Sequence, residues 1–236
     1  MSLSAGEFGA VSGLPRVLEL LDRHEVPASF FLPAVSAMLH PGMIHEILRR
    51  DRHEIGVHGW IHENLSGIDD PVEEKRLMNQ AIDYLTRMTG KRPLGDRAPS
   101  WVFSKYTIDL IQEAGFLYDS SMMAMDEPYE LVSMGQPTGM VELPVEWILD
   151  DAPYFGRSGS LPSPNLIFEA YRDEFDVAYE EGTMLMLTMH PQVIGPRSRM
   201  VYLDKLVTYM RSKPGVWFAT AEQIANYIKQ SNEAMK

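Results

Sequence analysis

The sequence contains no cysteine. Disulfides and thiolate metal sites are therefore excluded, and a metal ion would have to be held by histidine or carboxylate. Positive charge is scarce: 21 Lys and Arg against 33 Asp and Glu leave a formal net charge of −12. So acidic a chain repels nucleic acid and anionic membranes, and neither is expected as a partner. No stretch approaches the ~20 consecutive apolar residues of a membrane span. The opening segment MSLSAGEFGAVSG has neither a basic n-region nor an apolar h-region. No secretory signal is read there, and the cytoplasm is the expected compartment. Internal repeats and low-complexity tracts are missing as well.

What is present is an alternation of extended and helical segments. With 236 residues, 45% hydrophobic and 23% charged, the chain suits a single domain spanning 1–236 with a sizeable core. Pro15 opens an amphipathic helix, PRVLELLDRHE. ASFFLP and EIGVH read as buried strands, with PGMIHEILRR helical between them. PVEEKRLMNQAIDYLTRMTG is a long helix stopped at Gly90, and SKYTIDLIQEAG repeats the design with Ser104 as N-cap and Gly115 as stop. FLYDSS, MVELPV, TMLMLTMHP and VWFAT read as strands. PNLIFEAYRDEFDVAYEEG is helical, and Thr220 with Gln223 forms a capping box for the last helix. Strand–helix alternation predicts βαβ units and a parallel sheet. Residues 120–164, rich in Pro, Gly and Met, read as long functional loops.

In parallel α/β folds, reactive groups gather where strands end. EIGVH ends at His58, LGDR at Arg97, FLYD at Asp119 and TMLMLTMH at His190, while VELPVEW leads to Asp150 and Asp151. His58 and His62 are four residues apart, and on a strand end entering a helical turn two such imidazoles can meet one cation. The competing reading is a pair of surface or capping histidines. His190 is either a buried histidine satisfied by a backbone carbonyl or part of the site. Arg97 either fixes its loop by an ion pair with Asp96 or orients a carboxylate or acyl group. Asp150–Asp151 is either a cap or turn pair or part of the site. Trp60, Trp101 and Trp147 could stack on a sugar or simply pack.

Taken together, GLPRVLELLDRHEVPASFF, HGWIHENL, DRAPSW, FLYDSSMM, LTMHPQVIGPRSR and ATAEQIANYI resemble, in order, the motifs of the polysaccharide deacetylase superfamily, carbohydrate esterase family 4. The resemblance is strongest to its intracellular peptidoglycan deacetylase-like and allantoinase-like branch. It implies an α/β fold, a distorted (β/α) barrel of about seven parallel strands, and hydrolysis of non-peptide C–N bonds in a small-molecule or saccharide substrate. It implies that His58 and His62 bind Zn²⁺ or a similar divalent ion. By the same resemblance His190 is the general acid, Arg97 orients the catalytic carboxylate, and Asp119 supports His190 or the arginine.

The chain departs from that pattern at its start. The family begins with a strand ending in one or two aspartates, which supply the base and a third ligand, whereas no aspartate here precedes Asp22. The first barrel strand is accordingly expected to be missing, with Glu7, Asp150 or Asp151 as the acids that could replace the lost carboxylate. Ser100 stands where the family has tyrosine, which suggests a different or narrower substrate than chitin-like chains. Metal-dependent N-deacetylation of a carbohydrate is the leading expectation. Metal-independent ring opening of a cyclic amide such as allantoin, and a non-catalytic ligand-binding barrel, are its rivals. A homo-oligomer is compatible with all three.

Overall fold

The structure, a computed structural model, describes residues 3–156 and 162–234. It divides into two compact units, Met1–Val26 with Val145–Phe218, and Pro27–Pro144 with Ala219–Lys236. Among the described residues no helix is long and apolar enough to cross a membrane.

The second unit is built on a six-stranded sheet: β1 (Ser29–Leu32), β2 (Glu54–Val57), β3 (Gly95–Asp96), β4 (Tyr118–Asp119), β5 (Tyr129–Ser133) and β6 (Gln136–Glu142). Their order is β1-β2-β3-β4-β6-β5. All neighbours are parallel except β5, which runs antiparallel to β6. The expected α/β architecture with a mostly parallel sheet is therefore present. Six strands form among the described residues, where about seven less the first were expected, and one of them is reversed. That strand lies in the stretch read as loop: Met134 and Gly135 both take positive φ, 49° and 77°, which is the backbone a tight hairpin needs.

Local signals account for the helices of this unit. Asp70 accepts a hydrogen bond from Val72 N, Pro71 occupies the first turn, and Gly90 ends the helix Pro71–Thr89 at φ 73°. This helix buries Met78, Ala81, Ile82 and Leu85. Thr220 and Gln223 exchange the two bonds of a capping box ahead of Ala221–Ala234. Ser104 is a correction. It accepts from Tyr106 N at 2.9 Å and closes a turn, so the helix Thr107–Glu113 starts two residues later than a Ser104 cap would give.

In the first unit the chain is already helical before Pro15. Leu3–Phe8 passes through a π-helical turn, Gly9–Gly13, into Leu14–His24. Close packing explains the glycine at position 13: a Cβ there would lie 2.0 Å from Pro191 O. The core gathers Leu20, Phe168, Tyr171, Ile194 and Leu206. Two expected strands do not form as ladders. Residues 183–190 make a single bridge, Thr188 to Asp150, and residues 216–220 make none. Leu185, Leu187 and Met189 still pack on the core. Apolar alternation is thus satisfied by burial alone, without the ladder partners that define a strand.

Candidate functional site

His58 follows the last residue of β2, and its amide donates to Leu32 O. Its Nδ1 lies 2.6 Å from Arg97 O. A carbonyl only accepts, so Nδ1 carries the proton and Nε2 carries the lone pair that a metal ion would take. His62 is brought alongside, with ring centroids 4.8 Å apart at 80°. The device is not the helical turn expected from the spacing. Gly59 and His62 both take positive φ, 72° and 64°. The Glu63 carboxylate folds back to accept from Trp60 N and Ile61 N at 2.8–3.0 Å. The loop is thereby clamped with two imidazoles side by side. That tautomer and that spacing fit two adjacent ligands of one small cation.

Arg97 is buried. It donates through Nε and Nη2 to Ser120 O and Oγ, at 2.9 and 2.7 Å, and its guanidinium lies 4.4 Å from the Phe31 ring centroid. The sequence reading of an Asp96 ion pair fails geometrically: Asp96 and Arg97 are successive residues at the β3 end and project to opposite faces. Trp60 stands edge-on to Tyr84 of the long helix at 6.3 Å, a packing role. Trp101 is half-buried with φ 57°.

Asp119 is wholly buried and accepts from Ser121 Oγ at 3.0 Å. Its strand register reveals what sequence reading missed. Leu32, Val57, Asp96, Asp119, Glu142 and Tyr129 are successive partners across all six strands. Three acids thus stand side by side in one row. The sequence signal was there: LGD, LYD and VE each end an extended segment in an acid, but only pairing shows that they are neighbours. Burial dominates their chemistry. It pushes Asp96 well above the usual carboxylate range and Asp119 up to about 6, with hydrogen bonds and Arg97 opposing the latter. Burial and then the Asp119 charge push Glu142 up to about 10.

The first unit holds the second group. Backbone bonds tie Thr188 N to Leu149 O and Asp151 N to Thr188 O, so segments 149–151 and 188–190 run side by side. This delivers Asp151 to His190. The carboxylate receives His190 N at 3.1 and 3.2 Å and faces His190 Nδ1 at 2.7 Å. Asp151 has 0% side-chain exposure and His190 31%, so the ring is anchored through Nδ1 on a buried carboxylate. Burial raises Asp151, and the His190 bonds pull it back. Asp150 caps the helix Asp151–Phe155 through Ala152 N and lies 3.5 Å from His190 Nδ1.

Several assignments change as a result. His190 is supported by Asp151, while Asp119 feels the charge of the other group offered for it, Arg97. Asp151 is in turn too deeply buried to contact substrate. Asp150 is buried likewise, whereas Glu7 and Trp147 are exposed. Among the described residues, Asp150, Asp151 and His190 are the only three whose ligand-type atoms all lie within 4.8 Å of one another. The short Asp151–His190 contact is that of a hydrogen bond, however.

Comparison with known proteins agrees with the motifs. The family model for polysaccharide deacetylase matches residues 7–118. A peptidoglycan deacetylase of Helicobacter pylori is 29% identical over an alignment covering 99% of this chain and 89% of that protein. A Mycobacterium smegmatis structure assigned as a polysaccharide deacetylase superposes with a TM-score of 0.89 at 36% identity, over 98% of this chain and 81% of the other. The structure of Puue allantoinase superposes at 0.86 and 31% identity, covering 94% and 74%. With this similarity spread over nearly its whole length, the chain belongs to the polysaccharide deacetylase superfamily and is a deacetylase-type hydrolase of C–N bonds.

Proposed function

We propose that this hydrolase removes an N-acetyl group from a carbohydrate, with a divalent metal as cofactor. The observation that carries the reading is the His190–Asp151 pair. A wholly buried carboxylate, 2.7 Å from Nδ1, fixes the imidazole so that Nε2 presents a proton to the leaving nitrogen. His58 through Nε2, with His62 beside it, would hold Zn²⁺ or a similar ion, which when bound supplies Lewis acidity toward the acyl carbonyl. Arg97, locked by Ser120 and Phe31, holds the shape of the β3 end from which the Nδ1 acceptor of His58 projects. Trp147, 46% exposed, offers a ring face on which a sugar could stack. The similarity to a peptidoglycan deacetylase supports the saccharide. The similarity to an allantoinase favours a second reading, ring opening of a cyclic ureide or imide.

Metal content and turnover decide between them. The deacetylase reading expects about one divalent ion per chain and acetate release from N-acetylglucosamine oligomers. It also expects His58→Ala to lose the metal with little change in the melting temperature of metal-free protein. In His190→Ala a fall of about 10²–10⁴-fold in kcat is expected. Activity on allantoin or succinimide that persists in EDTA would transfer the assignment to the ring-opening reading. Binding without turnover on any of these substrates would make the chain a ligand-binding module.

A further inference from the structure

The acid row raises a charge problem that the catalytic reading does not use. Asp119 and Glu142 are register partners on β4 and β6, and both are 0% exposed. Glu142 Oε1 accepts from Ser121 N and Met122 N, each at 2.9 Å. Asp119 Oδ1 accepts from Ser121 Oγ. The remaining oxygens, Asp119 Oδ2 and Glu142 Oε2, are sealed from water and have no donor among the described residues. Two adjacent, fully buried carboxylates cannot both be ionised, and two orphan acceptors facing one gap are both satisfied by a single proton between them.

The charged and titratable neighbours are few. Asp96 lies beside Asp119 in the row and is itself raised by burial and by the charges of Asp119, Glu63 and Glu74. Tyr129 flanks Glu142 from β5, with its own phenol pushed up to about 12 by burial and by Glu142. Glu222, at the start of the helix that packs on β4 and β6, is turned to Lys91 and to Glu54. Arg97 is the cation that lowers Asp119. Alternation puts Ser120 on the opposite face of β4 from Asp119. The strand end 119–122 is therefore gripped from both sides: Arg97 is bonded to Ser120 on one, and Glu142 to Ser121 and Met122 on the other.

We propose that Glu142 is a positioning residue that works as a protonated carboxyl: the proton it shares with Asp119 holds the 119–122 strand end, and with it the seat of Arg97. A neutral Glu142 satisfies Asp119 Oδ2 as a donor while still accepting the two backbone N–H groups. An ionised Glu142 would place a second buried charge against Asp119 and push the strand end apart.

The assignment extends the deacetylase reading, but its first readout does not depend on turnover. Infrared difference spectra of the full chain at pH 8 should show a carboxylic-acid C=O band that vanishes in Glu142→Gln. In Asp119→Asn the band should be lost at lower pH than in the parent, because the neighbouring charge that holds the proton is gone. In kinetics, Glu142→Gln keeps a neutral group able to donate and accept, whereas Glu142→Ala leaves Asp119 Oδ2 and two amides without partners. Glu142→Gln should therefore retain about tenfold or more of kcat over Glu142→Ala. Its activity should also lack the alkaline loss that the parent shows as Glu142 ionises. No acid band at pH 8, or a band unchanged in Glu142→Gln, overturns the shared proton. Equal kcat for the Gln and Ala variants, both folded by circular dichroism, overturns the positioning role. A parent chain inactive on every substrate leaves the infrared result to decide the proton by itself.

Discussion

The buried acid row predicts that this protein loses stability as pH rises through neutrality, the reverse of ordinary acid denaturation. Glu142 is pushed up to about 10 in the folded chain, whereas in the unfolded chain it titrates near ~4.3. Between those values the folded state keeps a proton that the unfolded state releases. Stability from this group is complete below the unfolded pKa and falls as pH rises toward the folded one, with a slope of about 1.4 kcal/mol per pH unit. From pH 7 to 9 the loss is about 3 kcal/mol, or about 6–12 °C in melting temperature for a chain of this size. Asp119, at about 6, has the same sign but has spent its contribution below that window. Asp96 is raised by burial and by Asp119 and can only steepen the slope. The assay is calorimetric or fluorescence melting at pH 6–9.5, in ~0.2 M salt to screen the net charge of −12. Glu142→Gln, which has nothing to ionise, should run flatter by about 1.4 kcal/mol per unit. Parallel pH profiles for the parent and Glu142→Gln would refute the reasoning, whatever their absolute stabilities.

Other expectations follow from single contacts. Asp151→Asn removes the charge facing His190 Nδ1 at 2.7 Å and should lower kcat by ~10²-fold or more with a smaller change in KM, read from steady-state kinetics. Gly13→Ala would drive a Cβ to 2.0 Å from Pro191 O; a destabilisation of about 3 kcal/mol is expected in urea titration, and a neutral result would show that the two backbones can separate. Glu74→Ala strips Ser104 Oγ and Thr107 Oγ1 of the acceptor each holds at 2.5 Å. Chemical denaturation should register ~2–4 kcal/mol for the two orphaned hydroxyls.

Local chemistry was legible in the sequence wherever a short window decides the outcome. Asp70–Pro71, Gly90, Gly115 and the Thr220–Gln223 box mark helix ends because capping is settled within four residues. Where the deciding partner is remote, the same window misled. The alternating apolar residues at 185–189 promised a strand, yet a strand exists only when a ladder partner is beside it, and one bridge to Asp150 is all that forms. The Met134–Gly135 hairpin was passed over because its turn carries methionine at a positive-φ position.

The site divides along the same line. The residue types, their strand-end positions and the motif order were enough to single out His58, His62, Arg97, Asp119 and His190. What each one does was decided by tertiary structure. His58 and His62 meet through a Glu63-clamped loop with positive φ, not through helical spacing. His190 takes Asp151, 39 residues away. Glu142 carried no motif, and its role exists only because strand register sets it against Asp119 in a space without water. A sequence states which groups can carry charge. Only the packed fold fixes the distances and the burial that determine how many charges those groups hold together.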